Sequence, residues 1–339
     1  LAEVLTDSRI DLGQRHAQDL FTILRRPIFL AALLTKRMQL NPGGTHPAAA
    51  IESVVRSYSS QLSEISGRDV NLLEALGRLA VNAIDSGQEL MTASSVRIAL
   101  LPGLQSNPGE LETADSLLRS LIESGLFCAY DDARISLYHQ SLTELLAART
   151  VAQDIARDPR VLEPILRQRH WDFSLSLVLH YLDEPATMAA FSRILAVDLA
   201  LAVKCARFSE FHRSELVTQI IKSLPQVPNI GKFLGCHFPE FKENLPVDST
   251  HAPLLRELLC CKDGRATIAA ELLAVAVGEA AVEPILQQLL LRLDDYDFGR
   301  HGGEAISKLI TGDQLADIIA RFCAATAGLN DLASFHGAR

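Results

Sequence analysis

A mainly α-helical protein is the fold class this sequence predicts, on three observations. Apolar residues fill 48% of the 339 positions but aromatics only 6%, with Leu and Ala dominant. That mixture suits close helix packing over strands, which favour β-branched and aromatic side chains. Apolar residues also recur at three- and four-residue spacing, the period of one helix face, and Pro and Gly clusters interrupt these runs at helix-length intervals. With 22% charged residues the composition is that of a packed globular protein, which excludes disordered and collagen-like classes. At about 150 residues per domain the length predicts two or three folded units.

Taken in order, Asp11 to Gln39 carries helical periodicity, broken at Pro27 and stopped by Asn41-Pro42-Gly43-Gly44, so two helices and a loop are predicted. Ala48 to Ile65 reads as a further helix. Leu72, Leu73, Leu76, Leu79, Ala80 and Ala83 then line one helical face that ends near Gly87. Thr92 to Leu100 is a short helix closed by Pro102-Gly103, and Thr113 to Glu123 groups Leu117, Leu118, Leu121 and Ile122 on one side before Gly125, a left-handed terminator. The period then changes. Leu126, Cys128 and Tyr130 alternate with Phe127 and Ala129, and Ile135, Leu137 and His139 alternate again after Asp131-Asp132-Ala133, a β-hairpin signal. Ser141 and Glu144 precede an apolar run at the spacing of a capping box. Three helices, a two-stranded wing and a helix predict a winged-helix domain over 67–156, preceded by a helical domain over 1–66.

The remainder, 157–339, reads as helix after helix. Leu162-Glu163-Pro164-Ile165-Leu166 returns as Val282-Glu283-Pro284-Ile285-Leu286, a separation equal to three periods at the lower edge of HEAT-repeat spacing, which predicts a HEAT-like α-solenoid. Pro225, Pro228, Pro239, Pro246 and Pro253 mark an irregular stretch within it.

The formal charge of −9 opposes non-specific attraction to nucleic acid or anionic membrane. The most apolar region, Ile268 to Leu291, is broken by Glu271, Glu279 and Glu283, so no membrane span is predicted. Six cysteines without regular spacing fit reduced thiols and a cytoplasmic location. The chain opens at Leu1 rather than Met, so a larger parent protein is expected.

The run His139-Gln140-Ser141-Leu142-Thr143-Glu144-Leu145-Leu146-Ala147-Ala148-Arg149 resembles the end of the winged-helix domain of NACHT-type, NLR-like STAND ATPases, whose pattern is His-x-Ser-Phe-x-Glu-Tyr-Leu-Ala-Ala. Arg26-Pro27-Ile28-Phe29-Leu30 resembles the Pro-Leu-x-Leu motif that opens the family's helical domain. Leu121 to Leu126 before a wing, and Trp171 in the first repeat, also fit. The order matches over residues 1 to about 185. Leu142 and Leu145 stand where the family has aromatics, and Arg26 where a small polar residue is common. The resemblance implies that His139 touches the β-phosphate of bound ADP, locking the winged helix in a resting state, and that Pro27 packs on the adenine. A residue between a strand and a helix start also meets free N–H groups that favour an anion; the plain alternatives are a packing or capping histidine and a helix-start proline.

Catalytic motifs are missing from the chain. Gly231-Lys232 lacks the rest of a P-loop, so ADP or ATP with Mg²⁺ would be held mainly by an NTPase domain outside this sequence. Whether the chain takes part in an enzyme therefore depends on its parent. Cys236-His237, His251 and Cys260-Cys261 hold atoms suited to zinc, but adjacent ligands without a spacer fit tetrahedral geometry poorly, and no metal site is expected. Asp294 to Gly299 lacks the remaining oxygens of a calcium loop and reads as a solvated helix end.

The function the resemblance implies is the regulatory and ligand-sensing part of a STAND ATPase. Helical repeats would recognise a protein ligand and trigger oligomerisation, with bacterial antiphage defence, a form of innate immunity, as the implied setting. The partners are then a protein ligand, the parent's own NTPase domain and further copies of the chain. Two alternatives stand beside it: a helical-repeat interaction scaffold without a nucleotide switch, and a winged-helix DNA-binding regulator. Charge opposes the second, because residues 67–156 hold six Arg and no Lys against twelve Asp or Glu, a net of −6 on the surfaces that would meet phosphate.

Overall fold

The computed structural model describes residues 47–66, 71–100, 108–131, 133–137, 140–209, 212–227, 241, 245–312 and 314–324. The protein is mainly α-helical, with one small three-stranded sheet among these residues. It divides into two compact units, one ending at Leu182 and the other beginning at Asp183. The predicted helices over 11–39 lie outside the described residues.

The first unit runs α1 (Pro47–Ser66), α2 (Leu72–Ser86), β1 (Met91–Thr92), α3 (Ala93–Leu100), α4 (Pro108–Glu123), β2 (Phe127–Ala129), β3 (Arg134–Leu137) and α5 (Gln140–Arg157). In α2 the predicted stripe is buried, from Leu72 to Ala83. Asn71 opens this helix by accepting a hydrogen bond from Glu74 N at 3.3 Å, an N-cap that replaces a missing intrahelical partner. Gly87 closes it at φ 64°, with Gly87 N donating to Ile84 O and Gln88 N to Ala83 O, a left-handed C-cap that glycine adopts without a Cβ penalty. Gly125 ends α4 in the same way, at φ 79°. That helix begins at Pro108 rather than Thr113, because a proline without an N–H is well placed in a first turn.

The predicted hairpin is present, and it belongs to a larger sheet ordered β1-β3-β2. Phe127 faces Leu137 and Ala129 faces Ile135 across one edge of β3, while Met91 faces Ile135 across the other. Asp131 builds the turn, accepting from Ala133 N at 3.0 Å and Arg134 N at 2.7 Å. The Arg134 side-chain hydrogen bond to Asp131, at 2.6 Å, together with these two, holds the Asp131 carboxyl below its usual range. The expected alternation fails on β3, where Ile135, Ser136 and Leu137 are all buried, because successive side chains point to opposite faces and both faces of this strand are covered.

Helix α5 is the centre of this unit, packing on α2, β3 and α7 (Asp172–Val178) and on the 3-10 turn Pro159–Val161 that leads into α6 (Leu162–Ile165). These carry the first unit past residue 156 to Leu182. Trp171, in the turn before α7, is 1% exposed and donates its indole N–H to Asp85 Oδ1 at 3.0 Å. At the crossing of α2 and α5, a Cβ on Gly77 would overlap Thr150 Oγ1. The obstacle is that side-chain hydroxyl, since the nearest backbone atom, Leu146 O, would stand at an ordinary 3.5 Å. The expected capping box is corrected: α5 starts at Gln140, so Ser141 sits inside the first turn, and Glu144 is engaged by Gln140 Nε2 at 3.0 Å.

The second unit holds α8 (Glu184–Val197), α9 (Leu199–Phe208), α10 (Arg213–Ser223), α11 (Ala252–Leu259), α12 (Gly264–Val277), α13 (Val282–Leu291) and α14 (Tyr296–Ser307), followed by helical residues 314–324. From α8 to α12 each helix packs on the next, and α12 and α13 both pack on α14. Asp183, Asp198, Asp263 and Asp295 each start one of these helices by accepting a backbone N–H at 3.0 Å, the most favourable kind of cap. The Asp294 to Gly299 run is thus a helix start. Both copies of the Leu/Val-Glu-Pro-Ile echo follow a 3-10 turn and place Pro164 and Pro284 in a first helical turn. They then diverge, since α6 stops at Ile165 whereas α13 continues to Leu291, and they lie in different units. No helix among the described residues is long and apolar enough to cross a membrane.

Candidate functional site

The two residues singled out in the sequence, His139 and Pro27, both lie outside the described residues. Two described residues near His139 in the chain, Leu137 at the end of β3 and Gln140 at the start of α5, both line a cleft of about 310 Å³. Its floor is apolar, made by Ala83 and Ile84 of α2 with Leu137. Its rim is polar: Ser136 of β3, Gln140, Thr143 and Glu144 of α5, and Glu89, Tyr130 and His170 from the connecting segments. Each wall follows from a feature of the sequence. Gly87 turns the chain out of α2 so that Glu89 comes to the rim, and β3 delivers the chain to the first turn of α5, where free backbone N–H groups collect.

The charge of the cleft is mixed. Glu89 and Glu144 bring carboxylates to it, and among the described residues of its wall His170 is the one side chain that can become cationic. Glu144 is partly buried, and loss of water around its carboxyl raises the pKa, an effect the Gln140 hydrogen bond partly offsets. The arrangement accepts hydrogen bonds from hydroxyls, amines or guanidinium groups.

A raised carboxyl pKa has a fixed sign in folding. Glu144 holds its proton more tightly in the folded chain, so its contribution is full below the unfolded pKa and is lost as pH rises through the folded one. Glu144→Gln, neutral throughout, is therefore expected to gain stability relative to the unmodified chain between about pH 4 and pH 7. Urea unfolding at the two pH values checks this; a difference independent of pH counts against a desolvated carboxyl.

Of the residues weighed as zinc ligands, the described ones, His251, Cys260 and Cys261, form no group of three or more metal-capable side chains. His251 is 1% exposed and serves the fold: its Nδ1 accepts from Asp248 N at 3.1 Å, and its Nε2 stands 3.0 Å from Ser214 O. Cys128, Cys205, Cys260, Cys261 and Cys323 are in no disulfide, and Cys236 and His237 lie outside the described residues. Comparison with family models, curated proteins and solved structures finds no match to this chain.

Proposed function

We propose that this chain is the regulatory and ligand-sensing part of a NACHT-type STAND ATPase. In this reading His139 latches ADP against the winged helix, Pro27 packs on the adenine, and the helices of 157–339 form a HEAT-like sensor for a protein ligand. The observation that supports it is the order of elements from α2 to α5: three helices, a three-stranded sheet and a helix, with the cleft at the junction that residue 139 occupies in the chain. ADP and ATP, with Mg²⁺, would be held mainly by the parent's NTPase domain. Ligand on the sensor would favour the open, oligomerising state by the difference of its affinities for the two states. A cytoplasmic setting and a part in antiphage defence belong to the same proposal.

A second reading draws on the carboxylates at the rim. Glu89 and Glu144 disfavour phosphate inside the cleft itself and suit an Arg or Lys from a partner, which fits a scaffold without a nucleotide. One experiment separates the two. The complete parent protein is purified and its bound nucleotide quantified, with and without His139→Ala. Loss of a hydrogen bond to a charged phosphate is expected to weaken ADP retention about tenfold or more. Unchanged ADP content in the variant, or a parent without ADP, favours the scaffold.

A further inference from the structure

Helix α12 is apolar along most of its length, and Ala266, Ile268, Ala269, Ala270, Leu272 and Leu273 are buried in it. Among them Glu271 is also buried, at 3% exposure. A carboxylate taken out of water is costly unless matched by charge or hydrogen bonds. Facing it, α14 presents His301 and Glu304, one helical turn apart and so on one side of that helix. The ligand-capable atoms of Glu271, His301 and Glu304 all lie within 4.8 Å of one another.

The spacing is informative. His301 Nδ1 stands 3.6 Å from Glu271 Oε1, and Lys308 Nζ stands 3.9 Å from Oε2. A charge-assisted hydrogen bond would close to about 2.7–2.9 Å. Two ligands bonded at about 2.1 Å to one tetrahedral ion are held about 3.4 Å apart, which is near the observed nitrogen-to-oxygen separation. Glu304 is exposed and can bring its carboxylate the remaining distance by rotation of its side chain.

We propose that Glu271, His301 and Glu304 form a site for a divalent transition-metal ion of the zinc class, bridging α12 and α14. One nitrogen and two oxygen donors suit such an ion, and three protein ligands leave one coordination position for water. The two carboxylates cancel the ion's double charge. With Nδ1 on the metal, Nε2 carries the proton, so the exposed Arg300, whose Nη2 lies 3.2 Å from Nε2, turns away. Lys308 competes with the ion for Glu271. The site is independent of any nucleotide switch.

The test uses the full chain stripped of metal by a chelator. Zn²⁺ is titrated by calorimetry, and Co²⁺ by its visible ligand-field absorption. A single ion per chain is expected, with an intense tetrahedral Co²⁺ spectrum and a thermal midpoint raised by Zn²⁺ and returned by EDTA. Glu304→Gln, at an exposed position, keeps the fold and weakens Zn²⁺ binding about tenfold or more, and His301→Ala abolishes the Co²⁺ spectrum. Replacing Cys260 and Cys261 by Ser leaves both readouts unchanged. Absence of uptake, or uptake lost with the cysteines but retained in Glu304→Gln and His301→Ala, overturns the site.

Discussion

Trp171→Ala is expected to cost the first unit about 3–5 kcal/mol. Trp171 is the chain's single tryptophan, 1% exposed, in the turn that brings α7 back onto α5. Truncation removes the large apolar surface of the indole and opens a cavity between elements distant in sequence. The hydrogen bond to Asp85 is a smaller part of the effect, because Asp85 lies at the exposed end of α2. Trp171→Phe separates the two contributions, keeping most of the apolar area and losing the N–H, at about 1–3 kcal/mol. Unfolding followed by far-UV circular dichroism is the measurement, since the alanine variant has no indole fluorescence. A loss below about 1 kcal/mol would show that the indole is not a keystone of the core.

Gly77→Ala carries a second large effect, and its sign depends on a partner. A helix-interior glycine normally gains about 1 kcal/mol on replacement by Ala. At this position the added Cβ meets Thr150 Oγ1, with Leu146 O 3.5 Å away, and Thr150 Oγ1 is itself donated to Leu146 O at 3.0 Å. The overlap forces α2 and α5 apart or twists the threonine from its rotamer, and a net loss of about 1–3 kcal/mol is expected. In a Thr150→Ala background the obstacle is absent, so the same substitution becomes stabilising. Comparing denaturant midpoints of the four proteins of this cycle measures the coupling; independent, additive effects would refute the close approach.

Much of the first unit was legible because its signals are local. The stripe from Leu72 to Ala83, the left-handed glycines at 87 and 125 and the turn at Asp131 each act within a few residues, and each lies where the sequence predicts it. Strand β1 was not legible: Met91 and Thr92 are too few to show a period, and only pairing with β3 makes them a strand. The start of α5 was misplaced by the Ser141 and Glu144 spacing, since Gln140 takes up Glu144 from within the helix. The cleft beside β3 assembles from separate segments that no motif joins, and the Glu271, His301 and Glu304 cluster likewise spans two helices far apart in the chain. Such constellations come from packing, which single-sequence periodicity cannot report.

Placing β3 between β1 and β2 has a kinetic consequence. The β2–β3 hairpin can zip up early, closing only a short loop, whereas β1 must wait for α3 and α4 to bring the chain back around. Closure over a longer span is slower, so amide protection at the Met91 to Ile135 pairing should arrive after that at Cys128 to Ser136 during refolding. The sheet is then shaped in two stages, its β2 edge first and its β1 edge last.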